Sequence, residues 1–452
     1  MKSTKVDMLS GSITKGLFVL LIPIMIMNVT QSLFNIIDMT VLKIFSNDSA
    51  VGAVGASGML ITLCTSLLIG ISAGANVVVA KRIGLGNKER VDKAAMTAIL
   101  FSLVGGILLM LFGVIFAETF LKMTNCPDSL LAKATLYFRI YFYGIPFLML
   151  YNFCAAILRA AGDTKKPMYF LILGGIIKII FTLFFVTAFN MDVEGVAIST
   201  NISSFVISIL AFCALLRSET VHFDFKKIKF YSLELKEMLF IGIPSGLQTG
   251  MYSLANVIIT TAVNGFGADA TTGIAIANQF DGIMYQIIYA PSLATIPYVA
   301  QNIGAGKIER VKKTVLRSIL ITAAFGVTFG SLSAIFSKEL SSIMSTTPEV
   351  IKYSQQKMII VSSTYFLSGI NEIIGGVLKG MGKPILPTVS TFIFMCVFRF
   401  VWVYLIFPLC PNLTFLYLVW PIGWILSIIT LLIAYFPAIS ALQKEKNSVL
   451  SV

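Results

Sequence analysis

The sequence predicts an all-α integral membrane protein, with twelve transmembrane helices in two six-helix lobes related by a pseudo-twofold along the membrane normal. Three observations predict this class: a composition that water cannot solvate, twelve apolar runs of spanning length, and an internal repeat at an offset of 220 residues. Of the 452 residues, 57% are hydrophobic and 12% are charged, and mean hydropathy is +0.89. A soluble protein carries about 25% charged residues. So little polar surface leaves lipid as the solvent.

The apolar runs fall at roughly 17–42, 54–80, 95–117, 136–158, 168–189 and 195–216, and then at 238–263, 273–299, 314–336, 353–378, 386–408 and 413–441. Each comes near the ~20 residues a helix needs to cross hydrocarbon. The run after Lys15 is long enough to span and carries no A-x-A site, so it reads as the first span and not as a removable signal peptide. The polar stretch 217–237 separates the two sets of six. The expected division is therefore a lobe over 1–216, a cytoplasmic connector over 217–237 and a lobe over 238–452.

Basic residues orient these spans. Of 34 lysines and arginines, 25 lie at the two termini and in alternate loops. The opposite loops hold six: Lys43, Lys122, Lys133, Lys338, Lys352 and Lys357. Such asymmetry places both termini in the cytoplasm of a multi-pass protein of the cell (plasma) membrane. It also accounts for the net charge of +13 without nucleic acid, because basic loops face an anionic inner leaflet. Six scattered cysteines have neither metal nor redox spacing and read as small hydrophobes. The one histidine, His222, lies in the connector, so no histidine relay is expected within the membrane.

The repeat is explicit. Residues 79–93, VAKRIGLGNKERVDK, match 299–313, VAQNIGAGKIERVKK, at nine of fifteen positions. LRAAGDTKKP (158–167) resembles LKGMGKP (378–384), so that Gly162 falls on Gly382. Lys15, Pro23 and Asn35 fall on Lys236, Pro244 and Asn256. Three matches in order indicate duplication. Six helices per half is even, so both halves insert the same way up, as transporter halves do. The glycines of IGLG and IGAGK lack the strand and the G-K-[ST] ending of a phosphate loop, and they read as tight turns.

Ionisable groups within the spans are costly, about 2.5–3.5 kcal/mol each on insertion scales, so each needs a reason. The acids are Asp38, Asp281 and Glu372, and the bases are Arg139, Lys178 and Arg399. Gln31, Asn35 and Asp38 recur at spacings of four and three and share one helix face. A polar stripe ending in a carboxylate suits a proton or cation site; the structural alternative is an interhelical hydrogen-bond network. Pro23 and, in the second half, Pro244 free a backbone carbonyl and permit hinge bending or a fixed kink. Lys178, in GGIIKIIFTLFF, would act as a tethered cation if paired with Asp38. Glu372 and Arg399 occupy places near those of Asn152 and Lys178, so each half is expected to hold one acid–base pair. Arg139 and Asp281 read as nearer helix ends, where snorkelling or local bonding explains them. Asn278 and Gln279, with Asp281, are candidates for the second wall of a substrate cleft, and Asn152 and Asn256 join them as polar lining.

With these pieces in hand, the chain resembles the multidrug and toxic compound extrusion (MATE) transporters and is similar to their bacterial DinF-like branch. The resemblance runs over essentially the whole length and is carried by NIIDMTV, YNFCAAILRAAGDTKKP, MDVEGVAIST, YVAQNIGAGKIERV and INEIIGGVLKGMGKP in that order. It implies a V-shaped pair of six-helix lobes and export of organic, often cationic, compounds against a proton or sodium gradient. The family's first-lobe cation site uses an acid on helix 1, an Asn and an Asp on helix 5, and a Thr on helix 6. These positions map onto Asp38, Lys178, Thr182 and Thr200. Lys replaces Asn and Thr replaces Asp, which argues against a sodium site of that kind, opens coupling through Glu372 or weakly coupled transport, and admits an anionic or zwitterionic substrate since the buried charges balance.

The function expected is therefore secondary active efflux of small amphipathic compounds, organic cations or drug-like molecules, by alternating access. No cofactor is expected beyond a proton or sodium as coupling ion. The partners are a small-molecule substrate and the lipid bilayer, without nucleic acid, and a monomer is expected. A flippase for lipid-linked precursors is the alternative within transport. An enzyme is not expected, since the sequence offers no convergent carboxylates, no nucleophile with its base and no metal ligands. A receptor would carry an appended soluble domain, which no loop is long enough to supply.

Overall fold

The computed structural model describes residues 5–45, 48–124, 126–223 and 229–450, and the described residues contain no strand. The first half consists of α1 (Ile13–Phe45), α2 (Asp48–Gly84), α3 (Lys88–Met123), α4 (Asp128–Tyr143 continued by Ile145–Ala160), α5 (Lys165–Ala188) and α6 (Val193–Leu216). The second consists of α7 (Ser232–Asn264), α8 (Ala268–Gly304), α9 (Ile308–Ile335), α10 (Pro348–Ser363 continued by Tyr365–Gly380), α11 (Ile385–Leu409) and α12 (Leu413–Lys444). A short helix, Ser337–Met344, links α9 to α10.

Eight of these helices are long and apolar enough to cross a membrane, and the two-part α4 and α10 bring the number to ten. α7 and α8 have 33 and 37 residues, ample length at ~1.5 Å per residue, but carry more polar side chains. They take the places of α1 and α2 in the repeat. In α3 the most apolar window has a mean hydropathy of 2.7, yet only 22% of it is buried inside the protein. Leu108 and Ile115 stand more than 60% exposed. A surface this apolar suits the hydrocarbon of a bilayer.

The repeat appears in the backbone as well. α4 and α10 each bend by 46°, one at Gly144 and the other at Thr364, 220 residues apart. Gly86 and Gly306 end α2 and α8 with φ of 71° and 67°, and Gly162 and Gly382 end α4 and α10 with φ of 85° and 77°. Only glycine takes this left-handed cap at no steric cost. The carbonyls left over are met by bonds such as Asp163 N–H to Leu158 O and Lys383 N–H to Leu378 O, at 2.9 and 2.8 Å. The tight turns expected from IGLG and IGAGK are these caps.

Two compact units emerge, one of Met1–Val6 with Ile26–Gly246, the other of Asp7–Met25 with Leu247–Val452. Within the first, α2 and the opening stretch of α7 touch backbone to backbone. A Cβ on Gly70 would lie 2.1 Å from the Gly246 nitrogen, and one on Gly74 would lie 2.2 Å from the Met238 carbonyl oxygen. Gly70 and Gly74 face Gly242 and Gly246, so two small-xxx-small faces meet. At the end of α2, Arg82 pairs with Glu237 at 2.9 Å and lies 3.8 Å from Glu234.

Within the second unit, Leu17 and Leu21 in the opening stretch of α1 line a small apolar gap together with Pro291, Ala294 and Thr295 of α8. Ahead of it, residues 8–11 are clasped through their carbonyls. Arg310 donates to Met8, Ser10 and Gly11, Asn302 to Met8, and Lys307 to Leu9. The Asp7 carboxylate accepts from the Ser10 hydroxyl and from the backbone N–H of Leu9 and Ser10. These bonds, the Ser10 hydroxyl foremost, hold Asp7 below its ordinary pKa. The repeated motif thus ends a helix and also supplies the side chains that tie down the segment leading into α1.

Candidate functional site

In the first unit the site is built where α1 crosses α5. Two adjacent glycines let α5 lie tight against both neighbours. A Cβ on Gly175 would meet the Phe34 ring of α1 at 1.6 Å, and one on Gly174 would meet Ile207 of α6 at 2.4 Å. Ser203 of α6 also donates to the Gly174 carbonyl at 2.7 Å. One turn on from each contact, Asp38 and Lys178 come together in an ion pair, with side chains 11% and 13% exposed. The second carboxylate oxygen of Asp38 has no hydrogen-bond partner among the described residues. Tyr137 and Tyr141 of α4 lie within electrostatic range of the carboxylate.

The other residues expected here are placed as follows. Thr182, one turn beyond Lys178, is buried, and its hydroxyl has no partner among the described residues. Thr200 donates to the Val196 carbonyl of its own helix at 2.9 Å, and Asn152 to Leu148 of its own at 2.9 Å. Gln31 is exposed on α1. The side chain of Asn35 lies outside the described residues.

The second unit departs from expectation. Glu372 and Arg399 do not form its acid–base pair. Glu372, on the second stretch of α10, accepts from Tyr252 at 2.9 Å and from Tyr285 at 3.4 Å. Arg399 of α11 turns the other way, donating to Asn256 of α7 at 2.8 Å and lying 5.2 Å from the ring centre of Trp420. The pair that does form joins Asp281 of α8 to Lys357 of α10 at 2.8 Å. Asp281 stands well inside α8 rather than near its end, so snorkelling does not apply. Lys357 is not a loop residue either, being 1% exposed. It also donates to Asn278 and lies 5.3 Å from the Trp420 ring centre. Gln279 is exposed on α8.

Sequence reading missed Lys357 because SQQK, a polar start to its run, resembles a loop flank. The signal available was its position five residues inside an apolar run, together with an unmatched Asp281. It missed Trp420 as well, since one indole among many aromatics carries no spacing signal.

A family model matches this arrangement twice. The MatE model covers residues 23–184 and again 244–405, one match to each half of the repeat. The chain belongs to the MatE family. It is a multi-pass membrane transporter. Among curated relatives, the probable multidrug resistance protein YoeA of Bacillus subtilis is 27% identical over 387 residues, 84% of this chain and 83% of that protein. The probable multidrug resistance protein NorM of Thermotoga maritima is 27% identical over 393 residues, 84% and 83% of the two chains. Among solved structures, a MATE crystal structure in the straight conformation superposes with a TM-score of 0.91 at 20% identity, covering 98% of this chain and 99% of the other. The MATE fold expected from the residues is the fold observed.

Within the MatE frame, the chain's own chemistry lies in charges held by tethered partners. Neither Asp38 nor Asp281 is a bare acid. Each is matched by a lysine from a different helix, and such a pair is costly to leave half-made.

Proposed function

We propose that this MatE chain is a secondary active exporter of small amphipathic, drug-like compounds, driven by a proton gradient, with Asp38 as the coupling acid and Lys178 as its tethered counter-ion. The observation that carries this reading is the Asp38–Lys178 pair between α1 and α5. While Asp38 is ionised, the pair is neutral and holds the two helices together. A proton arriving at Asp38 removes the carboxylate charge and leaves an ammonium in apolar surroundings. Lys178 must then move toward water or another acceptor, so protonation favours a different arrangement of α1 and α5. A ligand shifts an equilibrium only by binding its two states unequally, and here the bound proton provides that difference.

A sodium ion would need several oxygen ligands in a cage, whereas the Lys178 ammonium already sits on one Asp38 oxygen and would repel a second cation there. This favours the proton over sodium. Pro23 and Pro244 serve as hinges in this reading, since each removes a backbone hydrogen bond inside a long helix. Both stand within three residues of the point where their helix passes from one compact unit to the other. The basic asymmetry sets both termini in the cytoplasm of the plasma membrane, so export runs away from them. Glu372, ringed by tyrosine hydroxyls, is a second proton-accepting carboxylate.

Purified protein in sealed liposomes, loaded with an amphipathic dye, tests this. An imposed proton gradient should drive dye movement, and a sodium gradient at constant pH should not. Flux that follows sodium alone contradicts the proton reading, and flux indifferent to both gradients contradicts coupled transport.

A further inference from the structure

The charges of the second unit do not balance. Among the described residues it holds three buried cations, Lys357 and Arg399 within the spans and Lys379 in the last turn of α10, and two carboxylates, Asp281 and Glu372. Asp281 is bound by Lys357, and Glu372 lies within electrostatic range of Lys379. Arg399 is the surplus. It is 3% exposed, and no described carboxylate lies within salt-bridge distance. Its polar contacts are the Asn256 amide oxygen at 2.8 Å and, at 3.8 Å, the Met395 sulfur. Its Nε is buried without a hydrogen-bond partner among the described residues. A guanidinium has five N–H donors in a planar fork, and most of them remain to be met.

A charge buried this deeply in a membrane protein is expensive unless a counter-charge or water meets it. Three features show a built site. The indole of Trp420 lies beside both cations, 5.3 Å from Lys357 and 5.2 Å from Arg399. Arg399 sits in a four-residue α-helical piece, Phe398–Val401, between two π-helical turns, Phe392–Val397 and Trp402–Ile406. Such turns occur often at functional sites. Asn256, which touches the guanidinium, is itself exposed, so the described residues do not cover the site on that side.

We propose that the second unit binds the anionic group of an aromatic organic anion, a carboxylate or phosphate, in the fork of Arg399, with Trp420 against its ring. In the exporter proposed above, this anion is the cargo. Bidentate pairing of guanidinium with carboxylate or phosphate supplies both energy and orientation, and the indole supplies a flat apolar wall.

Calorimetric titration of the purified full chain in uncharged detergent tests the assignment, with 1-naphthyl phosphate, 1-naphthoate and 1-naphthylmethylammonium as probes. Both anions should bind and the ammonium should not. Arg399→Gln should weaken the anions at least about tenfold, and Arg399→Lys should restore part of the loss. Arg139→Gln, in the first unit, should change nothing. Trp420→Leu, which keeps every charge, should weaken the naphthyl anions more than it weakens inorganic phosphate. Competition by inorganic phosphate would assign the anionic group to a free solute, and competition by phosphatidylglycerol to a lipid headgroup. Equal binding of the ammonium, or unchanged anion affinity in well-folded Arg399→Gln, overturns the proposal. Binding needs no gradient, so anion binding without flux would contradict the transport reading alone, and gradient-driven flux of ammonium dyes without anion binding would contradict this site alone.

Discussion

The Asp281–Lys357 pair shows most clearly how buried charge organises this chain. Lys357 is 1% exposed, and removing one member of such a pair leaves the other uncompensated. Lys357→Met should therefore cost about 3–5 kcal/mol, whereas Lys357→Met combined with Asp281→Leu should recover much of it. Thermal unfolding of the three variants in detergent, read as a double-mutant cycle, checks this, and additive losses would contradict it. Sequence reading found every acid of the two sites but only some of their partners. Asp38 and Lys178 were legible as a possible pair because each stands alone in an apolar run. Asp281 and Lys357 were not, because both sit among polar neighbours and their meeting depends on how α8 and α10 pack. Glu372 and Arg399 look like a pair by repeat position, but the tyrosines around the first and the indole beside the second draw them apart.

Helices are placed by what their small residues allow. Gly70 and Gly74 on α2 meet Gly242 and Gly246 on α7 at distances that leave no room for a methyl group. Gly70→Ala should force these backbones apart and destabilise the fold by about 1–3 kcal/mol. Gly86→Ala meets nothing within 4 Å, so its cost should come only from its positive φ. Comparing their melting temperatures in detergent separates close packing from backbone strain, and equal melting of Gly70→Ala and wild type would contradict the contact. The caps at Gly86 and Gly306 were legible, since a glycine between a helical run and a polar loop has one obvious use, whereas Gly162 and Gly382 showed only as matching repeat positions. The glycine faces were not read, because GISAG and GIPSG lie far apart in the chain and neither names its partner. The π-helical turns around Arg399 were equally silent, since FIFMCV and WVYLI read as ordinary apolar helix.

Across the whole molecule, duplication explains both what repeats and what has diverged. The two bends, the two pairs of left-handed glycines and the two MatE matches keep the common frame. The charged sites do not. At the position where α5 offers Lys178 to Asp38, α11 offers Arg399 to Asn256, so one half holds a closed pair and the other an open cation. The sequence boundary between lobes fell in the connector, 217–237. The compact units are drawn instead through α1 and α7, just beyond Pro23 and Pro244, because the opening stretch of each helix packs against the other half's second helix. Hydropathy finds where a helix lies but not which bundle its first turns join. The proposed coupling runs through the single carboxylate of Asp38, so one variant decides it. Asp38→Asn, reconstituted in sealed liposomes beside wild type, should lose dye flux driven by a proton gradient while still binding the dye. Gradient-driven flux at the wild-type rate would contradict the claim and remove Asp38 from the coupling path.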